Sequence, residues 1–312
     1  MEWLNSSFMI LVFASGLRLA APIIYAALGG LINERSGVLN IALESFLLCG
    51  AFIGFIGAWI FNNPIAGALC ACIGTMILAL LYAWVTVSMK ADQIISGLAF
   101  NTLVLGLTTY IFRVVARSNA SGQRLTVPSF EKIEIPFLSK IPWVGPIFFN
   151  HHLLIYLLYF IIPLITYLLF RTYYGLALRS VGENPKAAST AGINVIKTRY
   201  QAILVCGALC GLGGATLTVG ELASFNEYVV DGRGFIALAA IIFGRWKPFG
   251  ATVAALLFGI IDALQLRLQA LNFGISNQFL SILPYLIALL SFILSIDKSE
   301  APAASGKPYP EQ

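Results

Sequence analysis

Charged residues are scarce in this chain of 312 residues. They make up 11% of the sequence, whereas hydrophobic residues make up 59% and the mean hydropathy is +0.86. Soluble domains contain about 25% charged and about 45–50% apolar residues, so the composition excludes an ordinary soluble domain. Several apolar runs reach the roughly 20 residues that cross a bilayer as a helix. They do not alternate with polar residues as barrel strands do. The sequence therefore predicts an all-α polytopic membrane protein.

Motifs for nucleotide binding and catalysis are also missing. There is no G-x₄-G-K-[ST] phosphate loop, because the Gly306-Lys307 pair is followed by Pro308. There is no H-E-x-x-H or G-x-S-x-G motif, and the two histidines, His151 and His152, are adjacent. The five cysteines lie in apolar segments, which favours buried side chains over metal ligands. We expect no catalytic site, no metal site and no cofactor, so ATP-driven work would require a separate ATPase subunit.

Apolar runs in the sequence predict nine spans, with the seventh too short to cross the bilayer alone and therefore broken or re-entrant. The predicted spans lie near residues 8–32, 39–61, 64–88, 92–115, 151–170, 200–220, 234–244, 250–271 and 278–296. The whole transmembrane domain is predicted to cover residues 1–297. A tail at 298–312, rich in proline, is predicted to be disordered.

Basic residues indicate the orientation of the chain. The loops on one side carry Arg35, Lys90, Arg171, Arg179, Lys186, Lys197, Arg199, Arg245, Lys247 and Lys298. The positive-inside rule assigns that side to the cytoplasm, and it accounts for the net charge of +5 without a nucleic-acid partner. We therefore expect the N-terminus outside, the C-terminus and loop 171–200 in the cytoplasm, and loop 117–150 outside, bent by prolines rather than helical.

Loop 171–200 is the most informative segment, because it is polar and basic in an apolar protein. Asn184-Pro185 predicts a helix N-cap followed by proline at the first helical position, and Gly192 predicts the end of that helix. The result is a short, separately capped helix at 185–191, which we expect to dock a partner protein. The residues assigned to this docking are Arg179, Gly182, Glu183, Asn184, Pro185, Lys186, Ala188 and Gly192.

Polar residues inside apolar spans are costly and are therefore candidates for a solute pathway. Asn40 and Glu44 share a helical face, and Asn101 lies in the fourth span. Phe225 and Asn226 lie in a predicted external turn, where an aromatic ring could stack on a planar ligand and an amide could bind its edge. The alternatives are that the span residues hold helices together and that the turn is a plain loop.

Three motifs carry a resemblance to a known family. The run LRSVGENPKAASTAGI (178–193) resembles the coupling motif of ATP-binding-cassette (ABC) importer permeases of the ribose/branched-chain amino-acid class. The runs ALGGLINERSGVLNIALES (27–45) and DGRGFIALAAIIFGRWKPFGA (231–251) resemble its nucleoside and simple-sugar branch. Ser45 departs from the glycine that is frequent there.

The resemblance implies a permease subunit in a bacterial cytoplasmic membrane that carries nucleosides, with purine nucleosides expected. Its implied partners are an ABC ATPase subunit, a second permease subunit in a heterodimer and an extracytoplasmic substrate-binding lipoprotein. Other permease substrates in this class are simple sugars and branched-chain amino acids. A different class of function is an ion-coupled secondary transporter, which would need Glu44 or Asp262 to titrate. A pore or a polytopic enzyme is a further alternative, for which the sequence offers only the broken seventh segment and no catalytic cluster.

Overall fold

The computed structural model describes residues 6–118, 125–139, 141–270, 282, 286 and 301–309. These residues are mainly helical. In chain order the elements are α1 (Ser6–Arg35), α2 (Leu43–Phe61), α3 (Pro64–Ala83), α4 (Gln93–Ser118), β1 (Lys132–Glu134), α5 (Val144–Phe148), β2 (Asn150–His152), α6 (Leu153–Arg171), α7 (Tyr173–Glu183), α8 (Pro185–Thr190), α9 (Val195–Ala215), α10 (Arg233–Phe243) and α11 (Pro248–Ala270). The π-helical turns Trp84–Ser88 and Thr216–Leu222 extend α3 and α9.

Seven helices among the described residues are long and apolar enough to cross a membrane. They are Phe8–Arg35, Leu43–Phe61, Pro64–Ser88, Gln93–Arg117, Leu153–Arg171, Val195–Leu222 and Pro248–Ala270. These match seven of the nine predicted spans. The ninth, 278–296, lies outside the described residues except for Ile282 and Leu286, so the count of nine stays a prediction.

Helix α10 corresponds to the seventh predicted span and is indeed too short to cross alone. It has 11 residues. At a rise of about 1.5 Å per residue it covers about 16 Å, roughly half of a hydrocarbon core of about 30 Å. Asp231 and Gly232, just before it, both have positive φ values, of 48° and 80°. The chain thus forms a tight turn immediately before this half-length helix.

Helices α2, α3 and α9 pack in close backbone contact at their glycines. A Cβ atom on Gly50 would lie 2.7 Å from the Cα atom of Gly211, and one on Gly211 would lie 2.5 Å from the Ala71 carbonyl oxygen. A Cβ atom on Gly214 would lie 2.3 Å from the Leu47 carbonyl oxygen. Small residues at such positions allow helices to associate in lipid through dense packing. These glycines set the separation of the three helices.

The α1–α2 corner, residues 34–42, contains a break in regular structure that is nevertheless buried. Gln93 Oε1 accepts a hydrogen bond of 2.7 Å from the Leu39 N–H, and the Tyr82 hydroxyl donates one of 3.1 Å to the Leu39 carbonyl. Buried backbone outside regular structure is stable only where protein groups satisfy its N–H and C=O groups. Side chains from α3 and α4 therefore hold this corner in place.

The predicted external loop contains more regular structure than expected. Strands β1 and β2 pair antiparallel, with Lys132 opposite His152 and Glu134 opposite Asn150. The five-residue helix α5 includes Pro146, so the expectation of a bent, non-helical loop was incomplete. Proline prevents a long helix but fits the first turn of a short one, where its missing N–H is not needed.

Residues 301–309, called the C-terminal segment below, make contacts with the helical bundle in a region where the sequence predicts a disordered tail. The Ala304 N–H donates a hydrogen bond of 2.9 Å to the Gly182 carbonyl, and Ala304 is buried. The Ser305 N–H donates to the Pro302 carbonyl, which closes a turn within the segment. Composition could not show this, because the partners lie far away in the chain.

We predict that Gly211→Ala destabilises the folded protein, because the added methyl group must displace the α3 backbone. Overpacking of this kind typically costs about 1–3 kcal/mol. Thermal unfolding in detergent should show a lower midpoint for Gly211→Ala. Gly106→Ala is the matched control, since a Cβ atom on Gly106 would meet nothing within 4 Å. Equal midpoints for both variants would contradict the close packing of α9 on α3.

Candidate functional site

The predicted docking helix is present as α8, with the caps that the sequence indicates. Asn184 Oδ1 accepts a hydrogen bond of 3.1 Å from the Ala187 N–H, and Pro185 occupies the first helical position. Gly192 has a φ of 86°. The N–H of the next residue, Ile193, donates a hydrogen bond of 3.0 Å back to the Ala188 carbonyl. This is the geometry of a glycine-terminated helix. Both ends of α8 are thus specified by local sequence.

The neighbouring helices are capped in the same way. Thr172 accepts a hydrogen bond from the Gly175 N–H at the start of α7, and Asn194 accepts one of 2.9 Å from the Lys197 N–H at the start of α9. Asn184 is at the same time the C-cap of α7 and the N-cap of α8. No flexible residue therefore separates α7 from α8.

Helices α7 and α8 together form a helical loop, residues 173–190. Gly182 connects this helical loop to the rest of the bundle. A Cβ atom on Gly182 would lie 2.2 Å from the Arg35 carbonyl oxygen, so only glycine allows α7 to approach the end of α1 this closely. On the other side of the loop, Ala188 is buried in a small cluster with Val181 and Val195. The helical loop therefore packs on the α1–α2 corner through Gly182 and on its own flanks through Ala188.

The charged residues assigned to docking have different surroundings. Lys186 and Glu183 are exposed. Arg179 is half-buried, with its guanidinium 5.2 Å from the Phe170 ring centre and its Nε donating to the Gly175 carbonyl. Lys186 therefore presents its charge to solvent, whereas Arg179 is engaged within the chain.

The α1–α2 corner also holds the end of α10. Arg35 donates hydrogen bonds of 3.1 and 2.9 Å from Nε and Nη2 to the Trp246 carbonyl. The indole Nε1–H of Trp246 donates 2.5 Å to Glu34 Oε2. Two of the sequence motifs, 27–45 and 231–251, thus meet at this point. The corner consequently contacts both the helical loop and α10.

The other end of α10 is held by Glu44. Its two carboxylate oxygens accept hydrogen bonds of 2.8 Å from the Gly232 N–H and 2.7 Å from the Gly234 N–H. A Cβ atom on Gly234 would lie 2.4 Å from the Glu44 nitrogen, so α10 begins in backbone contact with α2. An acidic group at a helix N-terminus is favourable, because it faces unpaired N–H groups and the positive end of the helix dipole. Glu44 therefore fixes where the half-length helix starts.

Beside this contact lies a cavity of about 300 Å³. Glu44 and Asn101, two of the residues that the sequence predicts for a solute pathway, both line it, and their role in a pathway stays a prediction. Asn101 Oδ1 accepts a hydrogen bond of 3.0 Å from the Ser45 N–H, and Asn101 Nδ2 donates one of 3.1 Å to the Ile41 carbonyl. Asn101 consequently ties α4 to the start of α2 as well as facing the cavity.

The other three predicted pathway residues do not line the cavity; they are Asn40, Asn226 and Phe225. Asn40 is fully buried, and its Oδ1 caps the Ala42 N–H at 2.9 Å. Asn226 Oδ1 accepts 3.0 Å from the Tyr228 N–H, which closes a local turn. For these two residues the alternative structural interpretation fits the geometry.

Phe225, predicted to stack on a ligand, is buried in an aromatic cluster. Its ring centre lies 5.2 Å from that of Phe52 and 5.1 Å from that of Phe112, in edge-to-face arrangements typical of protein cores. The physical reason is the apolar surface of α2 and α4, which the ring covers. Its neighbour Tyr228 is 73% exposed and lines the cavity instead.

A further cavity residue, Glu227, belongs to an ion pair that the site prediction did not include. Arg113 in α4 forms a two-pronged contact with Glu227, with N–O distances of 2.8 and 3.2 Å. Glu227 lines the cavity together with Asp231. The signal available in the sequence was an arginine within an apolar span, which is costly without a partner.

The two histidines form a separate polar cluster. Nε2 of His151 lies 2.7 Å from the Ile147 carbonyl oxygen. Because a carbonyl oxygen can only accept, Nε2 carries the proton. Burial lowers the pKa of His151, which keeps the ring neutral at neutral pH. His152 Nε2 lies 3.5 Å from Glu221, and neither histidine lines the cavity. The cluster connects β2 to the end of the α9 extension.

Comparison with known proteins gives a consistent result over nearly the whole chain. A family model described as branched-chain amino acid transport system / permease component matches residues 12–294. The guanosine ABC transporter permease protein NupQ of Bacillus subtilis is 38% identical over 299 residues, which cover 93% of each protein. No solved structure gives a significant match.

Two further relatives differ in the solute that their names state. The nucleoside ABC transporter permease protein NupC of Lactococcus lactis is 35% identical over 96% of each chain. The putative glucose ABC transporter permease protein TsgC13 of Haloferax volcanii is 34% identical, over 90% of this chain and 92% of its own length.

We predict that Glu44→Ala loosens the first turn of α10, because the Gly232 and Gly234 N–H groups lose their acceptor. Hydrogen exchange measured by mass spectrometry should be faster in peptides covering residues 229–236. Glu227→Gln is the control, since Glu227 lines the same cavity but bonds to Arg113 and not to α10. Unchanged exchange in Glu44→Ala would show that another group holds this helix end.

Proposed function

Because this chain belongs to the branched-chain amino acid transport system / permease component family, we propose that it is the membrane-spanning permease subunit of an ABC importer for nucleosides. The nucleoside assignment is supported by NupQ and NupC, whose names state guanosine and nucleoside transport. Purine nucleosides are the preferred substrates in this proposal. The energy comes from a separate ABC ATPase subunit.

The observation that carries the proposal is the capped helix α8, which is exposed on one side and joined without a flexible linker to α7. A transporter driven by ions needs no such docking element. We assign α8 to ATPase coupling, with Lys186 facing the partner and Gly182 transferring displacement to the end of α1 at Arg35. Glu183, Asn184, Pro185 and Gly192 shape the helix.

The contacts between these elements offer a physical route from the ATPase to the solute. Displacement of α8 and α7 would press on the α1–α2 corner at Gly182. From there Trp246 transfers it to α10, whose other end is bonded to Glu44 at the cavity. ATP-driven closure of the ATPase would thus move a half-length helix that borders the pathway. We assign alternating access of the pathway to movement along this route.

The cavity has the chemistry of a nucleoside site. Tyr228 offers an exposed ring for stacking on a base, and Glu227 and Asp231 offer carboxylates that accept hydrogen bonds from ribose hydroxyls. A volume of about 300 Å³ is at the lower end of the range of small-molecule sites. We propose that a second, different permease subunit completes the pathway.

In the proposed arrangement α8 and the C-terminus face the cytoplasm, and the N-terminus lies outside. Support comes from the basic residues around the α1–α2 corner and α8, on the side that carries most cations. A substrate-binding lipoprotein delivers the nucleoside on the opposite side of the bacterial membrane.

Simple sugars are the second candidate substrates. The similarity to TsgC13, named as a putative glucose permease, favours this possibility at nearly the same identity as NupC. Both solute classes present hydroxyl groups to carboxylates, so the substrates must be compared directly.

We expect cells lacking this chain to lose uptake of labelled guanosine and adenosine, and cells with an inactivated ATPase partner to lose it equally. Ribose, glucose and leucine are measured in parallel. Loss of sugar or leucine uptake alone would replace the substrate but keep the ABC mechanism. Nucleoside uptake that needs this chain but survives ATPase inactivation would favour an ion-coupled transporter and overturn the proposal.

Asn184→Ala should lower uptake severalfold at equal membrane levels, because loss of an N-cap typically costs about 1 kcal/mol of helix stability. Asn184→Asp is the matched control, since aspartate caps as well as asparagine.

Gly192→Val should act similarly, because a left-handed backbone costs a non-glycine residue about 1–2 kcal/mol, with Gly192→Asn as its tolerated counterpart. Normal uptake in both Asn184→Ala and Gly192→Val would remove α8 from the coupling mechanism.

A further inference from the structure

The C-terminal segment, residues 301–309, lies against the same elements that we assign to coupling. The Ala304 N–H donates 2.9 Å to the Gly182 carbonyl, and the Ala303 N–H lies 3.4 Å from a carboxylate oxygen of Glu183. Both contacts are made at the junction of α7 and α8. The segment therefore covers the point at which α8 is attached to the bundle.

A buried arginine fastens the segment from the other side. Arg199 in α9 is 1% exposed, and its Nη1 donates 3.3 Å to the Lys307 carbonyl while its Nε donates 3.3 Å to the Ser36 carbonyl. Ala304 packs against Gly37. A Cβ atom on Gly37 would lie 3.4 Å from the Ala304 methyl group. One guanidinium thus joins α9, the α1–α2 corner and the C-terminal segment.

The segment ends in contact with α8 itself. Tyr309 packs against the small cluster formed by Val181, Ala188 and Val195, which is the apolar support of the helix. Since α8 has only six residues, it depends on such packing more than a long helix does.

Tyr309 also forms part of the wall of a groove of about 590 Å³ between α8 and the start of α9. The groove is lined by Lys186 and Lys197, with Ile193 and Tyr200 among its less polar residues. None of the described lining residues is acidic. Two lysines beside apolar side chains are complementary to a partner surface that combines carboxylates with an apolar side chain.

We infer that the C-terminal segment is a structural part of the ATPase docking surface, and that the groove walled by Tyr309 receives an acidic and apolar surface element of the ATPase subunit. The inference rests on the proposed function and extends it from α8 to a second segment of the chain. Binding of the ATPase therefore depends on residues far from the coupling motif in sequence.

The test uses three variants of the full permease, co-expressed with the tagged ATPase subunit of the importer and compared at equal membrane levels. The first variant ends after residue 300, the second carries Tyr309→Ala, and the third lacks only residues 310–312 as a matched truncation control. Recovery of the ATPase with the permease and ATPase-dependent nucleoside uptake are measured in each. Hydrogen exchange of residues 185–191 reports whether α8 loosens.

We expect the first two variants to recover severalfold less ATPase and to lose uptake in parallel, with faster exchange in α8, while the 310–312 deletion behaves as the parent. Normal ATPase recovery with both variants would overturn the inference. Loss of uptake with unchanged recovery would overturn it too, because the segment would then act after docking. If the parent protein itself shows uptake without the ATPase, the proposed function fails regardless of the segment.

Discussion

The backbone break at the α1–α2 corner is the constraint on which the other contacts depend. Helix α1 ends at Arg35, so its last carbonyl groups have no partner within the helix. The structure places other elements against this end, and each does so with a residue that suits close contact or hydrogen bonding. Gly182 brings α7 to the Arg35 carbonyl, Arg199 bonds to Ser36, and Trp246 bonds to the side chain of Glu34. A continuous helix here would leave α7, α9 and α10 without this common point of attachment.

Helix α10 follows from the same constraint. A helix of half the membrane thickness has an N-terminus inside the bundle, where unpaired N–H groups cost several kcal/mol in an apolar surrounding. Glu44 removes that cost by accepting two of them, and it can do so because the corner delays the start of α2 until Leu43. The carboxylate therefore has a structural task in addition to the pathway role that we propose. Glu44 both attaches the start of α10 and lines the cavity, so movement of this helix would change the cavity directly.

Local features could be predicted from the sequence, and features set by distant packing could not. Asn184-Pro185 and Gly192 define α8 because a cap depends only on residues within one turn. The shortness of α10 is visible in the length of its apolar run. Phe225 was assigned to a ligand because it lies in a predicted external turn, but whether a ring faces a solute or a core depends on α2 and α4, which the local sequence does not reveal. The contacts of the C-terminal segment could not be predicted for the same reason, since its partner Arg199 lies about one hundred residues earlier.

A six-residue helix is not stable alone, and in the coupling role that we propose this determines how α8 would transmit force. Its conformation exists only while Asn184 caps it and Ala188 remains packed on its neighbours. Asn184 is the single residue between α7 and α8, and its N–H and its side chain are both hydrogen-bonded, to the Ser180 carbonyl and the Ala187 N–H, which limits bending there. A partner that moves α8 must then either break these contacts or move α7 with it. As the alternative to movement is loss of a cap and of a buried cluster, rigid displacement toward the α1–α2 corner is the less costly response.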